Sequence, residues 1–228
     1  MTIRDLGRDF DPEVLARFHR EVLAPSFAAE ELESLDAMEA GVRGGALALV
    51  AEAGGDVVGG AIAERHGEVL LVGYLAVHPE WRGRGIGGSL LGALREACGA
   101  GEDVRLALGE VHDPRRHPAS DGDRPLDRLR FFERAGARVL DVPFVQPGLG
   151  PGSPRVPGFL LLALYSDAGI ETERSVPAEL VSGFVRSYYR AMERAEAPYE
   201  AELEGLLARI EREGTVDLLP VSEYARVR

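Results

Sequence analysis

The chain has 228 residues, of which 45% are hydrophobic and 28% charged, and its formal net charge at pH 7 is −12. This composition is ordinary for a globular protein and excludes an intrinsically disordered chain. The negative charge argues against a nucleic-acid partner, because phosphates attract a surface of opposite sign. All 26 lysine or arginine positions are arginine, so a Schiff-base lysine and a P-loop lysine are both excluded.

Signals for a membrane or for secretion are also missing. The longest apolar runs, residues 46–51 and 159–165, are far shorter than the roughly 20 residues that a helix needs to cross a bilayer. The residues after Met1 are charged at once and lack the apolar region of a secretory signal. We therefore expect a cytoplasmic protein with no membrane partner. Cys98 is the one cysteine, so no internal disulfide can form, and its helical context predicts a packing role.

The first part of the chain predicts a strand, two helices and an antiparallel meander. Asp11-Pro12-Glu13 supplies the cap, first-turn proline and acid that start a helix. Tight-turn glycines separate three strand-like runs after the second helix. The predicted elements are a strand over 2–6, helices over 12–23 and 29–42, and strands over 46–52, 56–65 and 68–77.

The remainder predicts a crossover unit followed by a helical extension. A helix over 86–97 connects to a strand over 104–111, and such a connection favours parallel pairing with the strand over 68–77. The prolines and glycines of 142–154 favour a structured loop or lid over a central strand. The other predicted elements are an exposed loop over 112–124, a helix over 127–135, strands over 138–142 and 159–165, and helices over 177–194 and 199–212 broken at Pro198. We expect one domain over 1–168 and a C-terminal helical extension over 169–228.

A turn rich in glycine and arginine joins the third meander strand to the next helix. Its sequence is Leu75-Ala76-Val77-His78-Pro79-Glu80-Trp81-Arg82-Gly83-Arg84-Gly85-Ile86-Gly87-Gly88-Ser89. The free N–H groups of a helix N-terminus carry about half a unit of positive charge, and glycines let an anion approach them. Arg82 and Arg84 add charge-assisted donors. The turn therefore predicts an anion site, and a pyrophosphate fits it best.

Two other phosphate motifs fit less well. A Walker loop needs Gly-Lys-Ser or Gly-Lys-Thr, and the chain has no lysine. The spacing Gly83-x-Gly85-x-x-Gly88 matches a dinucleotide fingerprint, but that fingerprint opens the first βαβ unit of its domain. Here a meander precedes the turn and two arginines crowd it, so we disfavour a dinucleotide.

The pattern Arg82-x-x-Gly85-x-Gly87, after a strand that ends Leu75-Ala76-Val77-His78-Pro79, resembles the acyl-CoA pyrophosphate loop of the GNAT superfamily. The order of elements over roughly residues 1–166 is similar to that family as well. The resemblance implies an α/β fold with a mixed, mostly antiparallel central sheet flanked by helices. Its fourth and fifth strands would be parallel and would splay apart around the thioester. The C-terminal helical hairpin is added to this core.

The resemblance also implies which residues bind acetyl-CoA or another acyl-CoA. Amides of the loop would hold the pyrophosphate, and the strand over 73–77 would bind the pantetheine arm. A backbone N–H near Leu75 or Ala76 would polarise the thioester carbonyl, and losing one such donor costs about 3–4 kcal/mol. The expected cofactor-binding residues are Leu75, Ala76, Val77, Arg82, Gly83, Arg84, Gly85, Ile86, Gly87, Gly88 and Ser89.

The general acid departs from the family pattern. Many members carry a tyrosine four residues before the glycine that ends the fourth helix, where it can protonate the leaving thiolate. Phe132 precedes Gly136 by that interval, and a phenyl ring cannot donate a proton. Either the thiolate leaves without this acid, or another residue substitutes, or the domain is not a standard catalyst.

Glu110 is the first candidate for the base that neutralises the acceptor amine. It lies at the C-terminal end of the predicted fifth strand, and His112 would point to the same side if the strand persists. The competing interpretation is a carboxylate that faces water or Arg115. Tyr74 is a weaker catalytic candidate, for which a structural role is favoured. Glu110, His112, Asp113 and His117 also resemble a loose metal cluster without regular ligand spacing, and we expect no metal.

These features predict an N-acyltransferase, most simply an N-acetyltransferase, whose acceptor amine attacks the thioester directly in a ternary complex. The acceptor is a small molecule or a peptide. The alternative is a non-catalytic acyl-CoA-binding or regulatory module on the same fold. The apolar face of the C-terminal hairpin cannot remain in water, so it covers the acceptor side of the cleft or forms a homodimer interface.

Overall fold

A computed structural model describes residues 1–29, 31–100, 103–119, 124–148, 154–170, 174–193 and 200–227. The chain forms two compact units. The first unit contains Met1–Arg65 and Leu71–Glu102, and the second contains His66–Leu70 and Asp103–Arg228.

The first unit contains an antiparallel meander with helices before and after it. Strand order is β1-β2-β3-β4, and β2 pairs with both β1 and β3 in antiparallel register. Asp11 starts α1 by accepting hydrogen bonds from the N–H groups of Glu13 and Val14. The elements are β1 (Thr2–Asp5), α1 (Pro12–Arg17) continued by a π-helix (Phe18–Leu23), α2 (Leu35–Arg43), β2 (Leu47–Ala53), β3 (Asp56–His66), β4 (Val69–Val77) and α3 (Ile86–Ala100).

The second predicted helix is shorter than expected. The sequence pattern indicated residues 29–42, whereas α2 begins at Leu35 because the Ser34 side chain accepts a hydrogen bond from the N–H of Ala37 and caps the helix there. Residues 29 and 31, which the prediction placed in the helix, lie in turns instead. Helical spacing of apolar residues alone did not locate this start.

The second unit contains a second set of antiparallel strands and the C-terminal helices. Strand order is β5-β9-β6-β11-β10, and two short strands form a separate ribbon, β7-β8. The elements are β5 (Leu106–His112), α4 (Pro125–Arg134), β6 (Arg138–Leu140), β7 (Val145–Gln146), β8 (Val156–Pro157), β9 (Phe159–Ser166), β10 (Ser175–Pro177), α5 (Ala178–Glu193), α6 (Glu200–Glu211), β11 (Thr215–Pro220) and a 3₁₀ helix (Val221–Arg226).

The sequence analysis missed β10 and β11. Strand β11 pairs with β6 on one side and with β10 on the other, and it buries Val216 and Leu218. Six residues with two buried positions give too weak an alternation to be recognised beside two strongly helical segments. The residues after 169 therefore add strands as well as helices. The predicted break at Pro198 lies outside the described residues, and the division at residue 168 stays a prediction.

The hairpin helices find their partners inside the second unit. Helix α5 buries Leu180, Val181, Phe184 and Val185, and α6 buries Leu207 and Ile210. Arg186 of α5 forms ion pairs with Glu204 and Glu211 of α6. The apolar face of the hairpin is thus covered within its own unit, and a homodimer stays a prediction.

The predicted fold class is confirmed, with mostly antiparallel strands and helices around them. The parallel pairing of β4 with β5 begins at Glu68. The Glu68 carbonyl accepts hydrogen bonds from the N–H groups of Arg105 (2.9 Å) and Leu106 (3.4 Å). Strands β4 and β5 therefore start side by side and run in the same direction. The splaying of their far ends stays a prediction. Across the described part of the chain, every helix is too short or too polar to span a membrane.

Candidate functional site

The predicted anion-binding turn is open to solvent. His78 caps a short 3₁₀ helix, Pro79–Trp81, by accepting a hydrogen bond from the N–H of Glu80. Gly83 and Gly85 then adopt left-handed conformations with φ of 75° and 81°. A β-carbon built on either glycine has no neighbouring atom within 4 Å. The turn thus reverses the chain without packing against anything that would block an anion.

Helix α3 presents its free amides at this turn. It begins at Ile86, and the Ser89 N–H donates to the Gly85 carbonyl at 3.0 Å. The N–H groups of Ile86, Gly87 and Gly88 consequently have no carbonyl within the helix to bind. Gly88 and Ser89 are exposed. Amides without a partner in the helix, at the start of a 15-residue helix and next to glycines without side chains, fit a pyrophosphate.

The two arginines contact the residues around the turn and still have N–H donors that these contacts do not use. Arg82 donates from Nε to the Val77 carbonyl at 3.2 Å and from a terminal nitrogen to the Ser26 hydroxyl at 3.5 Å. Arg84 donates to the Glu80 carbonyl at 3.2 Å, and its guanidinium lies 4.7 Å from the centre of the Trp81 ring. Each guanidinium has five N–H donors, which is more than these contacts use. Both side chains are exposed and can also reach an anion.

Gly59 on β3 sets the position at which α3 begins. A β-carbon there would lie 2.9 Å from the Ala76 carbonyl oxygen and 3.2 Å from the Ile86 side chain. We expect Gly59→Ala to cost about 1–3 kcal/mol of unfolding free energy, the usual cost of overpacking, because backbone must shift to admit the methyl. The start of α3 would move, so CoA affinity would fall as well. Chemical denaturation and calorimetry measure the two effects.

Gly73 on β4 offers the matched control. A β-carbon on Gly73 meets no atom within 4 Å, so Gly73→Ala should leave unfolding free energy nearly unchanged. Equal stability of the two alanine variants would contradict the close packing assigned to Gly59.

Tyr74 acts as a tether for the loop before α2. Its hydroxyl donates to the Glu31 carbonyl at 3.1 Å and accepts from the Glu33 N–H at 3.0 Å, and its ring meets Phe27 edge-on at 5.2 Å. Burial, together with the nearby carboxylates of Glu33 and Glu64, raises the pKa of Tyr74 despite the Glu33 N–H. These contacts favour the structural role over the catalytic one.

We expect Tyr74→Phe to lower the free energy of unfolding by about 0.5–1.5 kcal/mol, because two solvent-exposed hydrogen bonds to the backbone are lost. The rate of acyl transfer at saturating substrates should change less than threefold. A rate loss of 100-fold with unchanged stability would restore Tyr74 as a catalytic residue. Denaturant titration and a thiol-release assay on the same preparation decide between these outcomes.

Glu110 lies in the second unit and its carboxylate is buried. Oε2 accepts hydrogen bonds from the Gln146 side-chain amide at 2.7 Å and from the Tyr188 hydroxyl at 3.2 Å. Among the described residues, no hydrogen-bond donor reaches the other oxygen, Oε1, which is also buried. Burial raises the pKa of Glu110 to about 7, although both hydrogen bonds act to lower it. A carboxylate with this pKa can accept a proton near neutral pH.

Arg115, which the competing interpretation offered as a partner for Glu110, contacts other groups, while a structural carboxylate at this position stays the alternative. The Arg115 guanidinium forms an ion pair with the buried Asp113 at 2.8 Å and donates to the Ala225 carbonyl at 2.7 Å. Strand β5 extends to His112, one residue beyond the predicted end, so the condition for His112 and Glu110 to point to the same side of the strand is met. The His112 ring stacks on the His117 ring with 4.3 Å between the ring centres, and its centre lies 4.7 Å from that of the Phe159 ring. His112 and Glu110 therefore have different neighbours, and no group of three metal ligands forms among the described residues.

Sequence reasoning did not assign Gln146 and Tyr188 to the site. Tyr188 matched the apolar stripe of a helix, and Gln146 stood in a loop rich in proline and glycine. Neither position carries a motif that would have revealed its contact with Glu110. Phe132, at the position where many GNAT proteins have tyrosine, is buried beside Phe131 at 5.1 Å and supplies no proton.

The fold and the anion-binding turn are similar to those of GNAT-type acetyltransferases. Residues 44–136 match the family model of the acetyltransferase (GNAT) domain, so the predicted resemblance is confirmed over this segment. No curated protein matches the sequence.

Several solved structures have a similar fold. A GNAT-family protein from Bacteroides thetaiotaomicron superposes with a TM-score of 0.55 at 19% identity, covering 74% of this chain and 90% of its own. The ribosomal-protein-S18-alanine N-acetyltransferase from Escherichia coli gives 0.50 at 17% identity, covering 75% of this chain and 99% of its own. A GNAT-like decarboxylase in complex with isobutyryl-CoA gives 0.51 at 18% identity, covering 72% of this chain and 100% of its own.

Proposed function

We propose that this protein is an acyl-CoA-dependent N-acyltransferase, most simply an N-acetyltransferase. The observation that carries the proposal is the open turn before α3, where the amides of Ile86, Gly87 and Gly88 have no carbonyl in the helix to bind. The GNAT domain over residues 44–136 and a relative of this fold solved with isobutyryl-CoA support the same cofactor. The acceptor is the amine of a small molecule or a peptide.

The residues of the turn would hold the CoA pyrophosphate. Backbone amides from Gly83 to Gly88 would donate to the phosphate oxygens, and Arg82, Arg84 and Ser89 would add side-chain donors. Residues Leu75, Ala76 and Val77 of β4 would bind the pantetheine arm through their backbone. Acyl-CoA, when bound, supplies an acyl group activated as a thioester. An N–H of Leu75 or Ala76 would polarise the carbonyl of that thioester.

Glu110 would act as the general base. An amine must lose its extra proton before it attacks, and Oε1 of Glu110 is the carboxylate oxygen left without a donor. Because the pKa of Glu110 is about 7, a substantial fraction of the carboxylate is ionised at neutral pH and can receive that proton. His112 is retained as a second candidate for this role.

A direct assay tests the proposal. The protein is incubated with acetyl-CoA and a panel of amines, namely free amino acids, polyamines, aminoglycosides and N-terminal peptides, while free thiol is followed. Calorimetry with CoA runs in parallel. We expect micromolar to millimolar CoA binding and acceptor-dependent thiol release with at least one amine.

The second candidate is a non-catalytic acyl-CoA-binding module, which Phe132 favours because it removes the usual proton donor for the thiolate. CoA binding without thiol release across the whole panel would support the module. Absence of CoA binding would contradict both candidates.

A further inference from the structure

We propose that Tyr188 of helix α5, together with Gln146, is a positioning residue that holds one oxygen of the Glu110 carboxylate and leaves the other for the acceptor amine. The inference rests on the proposed function, because it concerns the base of that reaction. It assigns to the C-terminal hairpin a role in acyl transfer that the GNAT domain alone does not supply.

Both hydrogen bonds reach the same oxygen. The Tyr188 hydroxyl and the Gln146 amide donate to Oε2, at 3.2 Å and 2.7 Å. Two donors on one oxygen fix the rotation of the carboxylate. The partnerless Oε1 is then presented in one orientation. A buried carboxylate oxygen without a donor is costly, and an incoming N–H group relieves that cost.

Tyr188 is held in place independently of Glu110. Its side chain is 3% exposed, its ring stacks on Phe184 at 5.5 Å, and the ring of His66 meets it at 5.3 Å. His66 lies with its Nδ1 3.4 Å from the Ser187 hydroxyl, so it also contacts the same helix. Packing on these rings fixes where the Tyr188 hydroxyl lies. The hydroxyl can therefore position the carboxylate rather than follow it.

The groups that face Glu110 are neutral near pH 7. Tyr188 and Gln146 bind it directly, and burial lowers the pKa of His66, whose ring contacts that of Tyr188. Tyr189, whose hydroxyl donates to the Val145 carbonyl, lies on the same helix under the guanidinium of Arg155.

The charges behind Tyr189 compensate one another. Arg155 forms ion pairs with Glu193 at 2.7 Å and with Glu202 at 3.5 Å. No ion pair to Glu110 is present within the described ranges. Its charged form is therefore favoured chiefly by the two neutral donors, and removing one should make the carboxylate harder to ionise.

The decisive variant is Tyr188→Phe, which removes the hydroxyl and keeps the ring. The acid limb of the pH profile of kcat/KM should move up by about one pH unit, the size of one hydrogen bond to a charged group. At pH 6.5 kcat/KM should fall roughly tenfold, and at pH 9 it should recover to near the wild-type value. The KM for acetyl-CoA should not change. Gln146→Leu should move the limb in the same direction.

Tyr189→Phe is the matched control. It removes a buried tyrosine hydroxyl from the neighbouring position of the same helix, and that hydroxyl bonds a backbone carbonyl rather than Glu110. We expect a similar loss of stability and an unmoved acid limb. A pH-independent loss of rate in Tyr188→Phe, equal to that of the control, would overturn the proposal.

A second readout separates this inference from the proposed function. The pKa of Glu110 can be followed by carbon-13 NMR of labelled glutamate, with Glu110→Gln for assignment. We expect that pKa to rise in Tyr188→Phe and to stay unchanged in Tyr189→Phe. An unchanged pKa in Tyr188→Phe overturns the positioning role whether or not the protein is active. A raised pKa with an unmoved acid limb also overturns it, whereas wild-type protein that turns over no amine contradicts the proposed function instead.

Discussion

Replacing Arg84 and Gly85 together by glutamate and aspartate should abolish CoA binding. Two negative charges would then stand beside the amides that start α3, and a side chain would fill the open space next to Gly85. The pyrophosphate would lose a donor and meet repulsion at short range. We expect the affinity for CoA to fall at least 100-fold, or about 2.7 kcal/mol. Isothermal titration calorimetry measures the change directly.

A control with the same chemistry is available in the same unit. Arg20→Glu with Gly54→Asp introduces equal charges, and Gly54 is likewise a left-handed glycine, with φ of 65° and open space around it. Both double variants therefore bear the same backbone strain and net charge. The control should bind CoA with wild-type affinity. If the Arg84 and Gly85 variant binds equally well, the turn is not the pyrophosphate site.

Replacing Glu110 with glutamine should lower kcat/KM for the amine by about 100- to 10,000-fold, the range typical of a lost general base. Affinity for CoA should not change. Glu179→Gln, which neutralises an exposed carboxylate in the same unit, should retain full activity. Steady-state kinetics with the best acceptor of the amine panel provide the measurement. Full activity of the Glu110 variant would leave His112 as the remaining candidate.

The same substitution should stabilise the protein at alkaline pH. The pKa of Glu110 is raised from 4.5 to about 7 in the folded state, so the fold favours the protonated carboxyl. That stabilisation is fully present below pH 4.5 and is lost as the pH rises through about 7. Glutamine cannot ionise, so the variant does not lose this contribution to its free energy of unfolding. From pH 5 to pH 9 the stability of the variant relative to wild type should rise by on the order of 3 kcal/mol.

Urea denaturation of the wild type and of Glu110→Gln at pH 5 and pH 9 tests whether the relative stability of the variant rises with pH. A relative stability that does not change with pH would show that the carboxylate is not destabilised by burial. The kinetic and the stability measurements are independent, because only the first requires an acceptor. Together they distinguish a buried base from a buried carboxylate that takes no part in the reaction.

The anion-binding turn could be predicted from sequence because its chemistry is local. Helix N-terminal amides, left-handed glycines and neighbouring arginines all belong to the few residues from Arg82 to Ser89. Their geometry follows from backbone hydrogen bonding within one turn of helix. The meander before the turn was predicted for the same reason, because tight-turn glycines and strand periodicity are short-range signals. Helix α2 was misjudged at its start, where the Ser34 cap outweighed apolar spacing.

The surroundings of Glu110 were decided only by the tertiary structure. Its position at the end of a strand could be read from sequence, but its two donors are 36 and 78 residues away along the chain. Tyr188 has the spacing of an ordinary core residue, and only the folded chain shows that its hydroxyl meets a carboxylate. Burial and hydrogen bonds from distant segments shift the pKa of a carboxyl group, and neither is encoded in neighbouring residues. Sequence alone therefore indicated both the glycine-rich turn and Glu110, whereas only the long-range packing of the second unit showed which groups contact that carboxylate and raise its pKa.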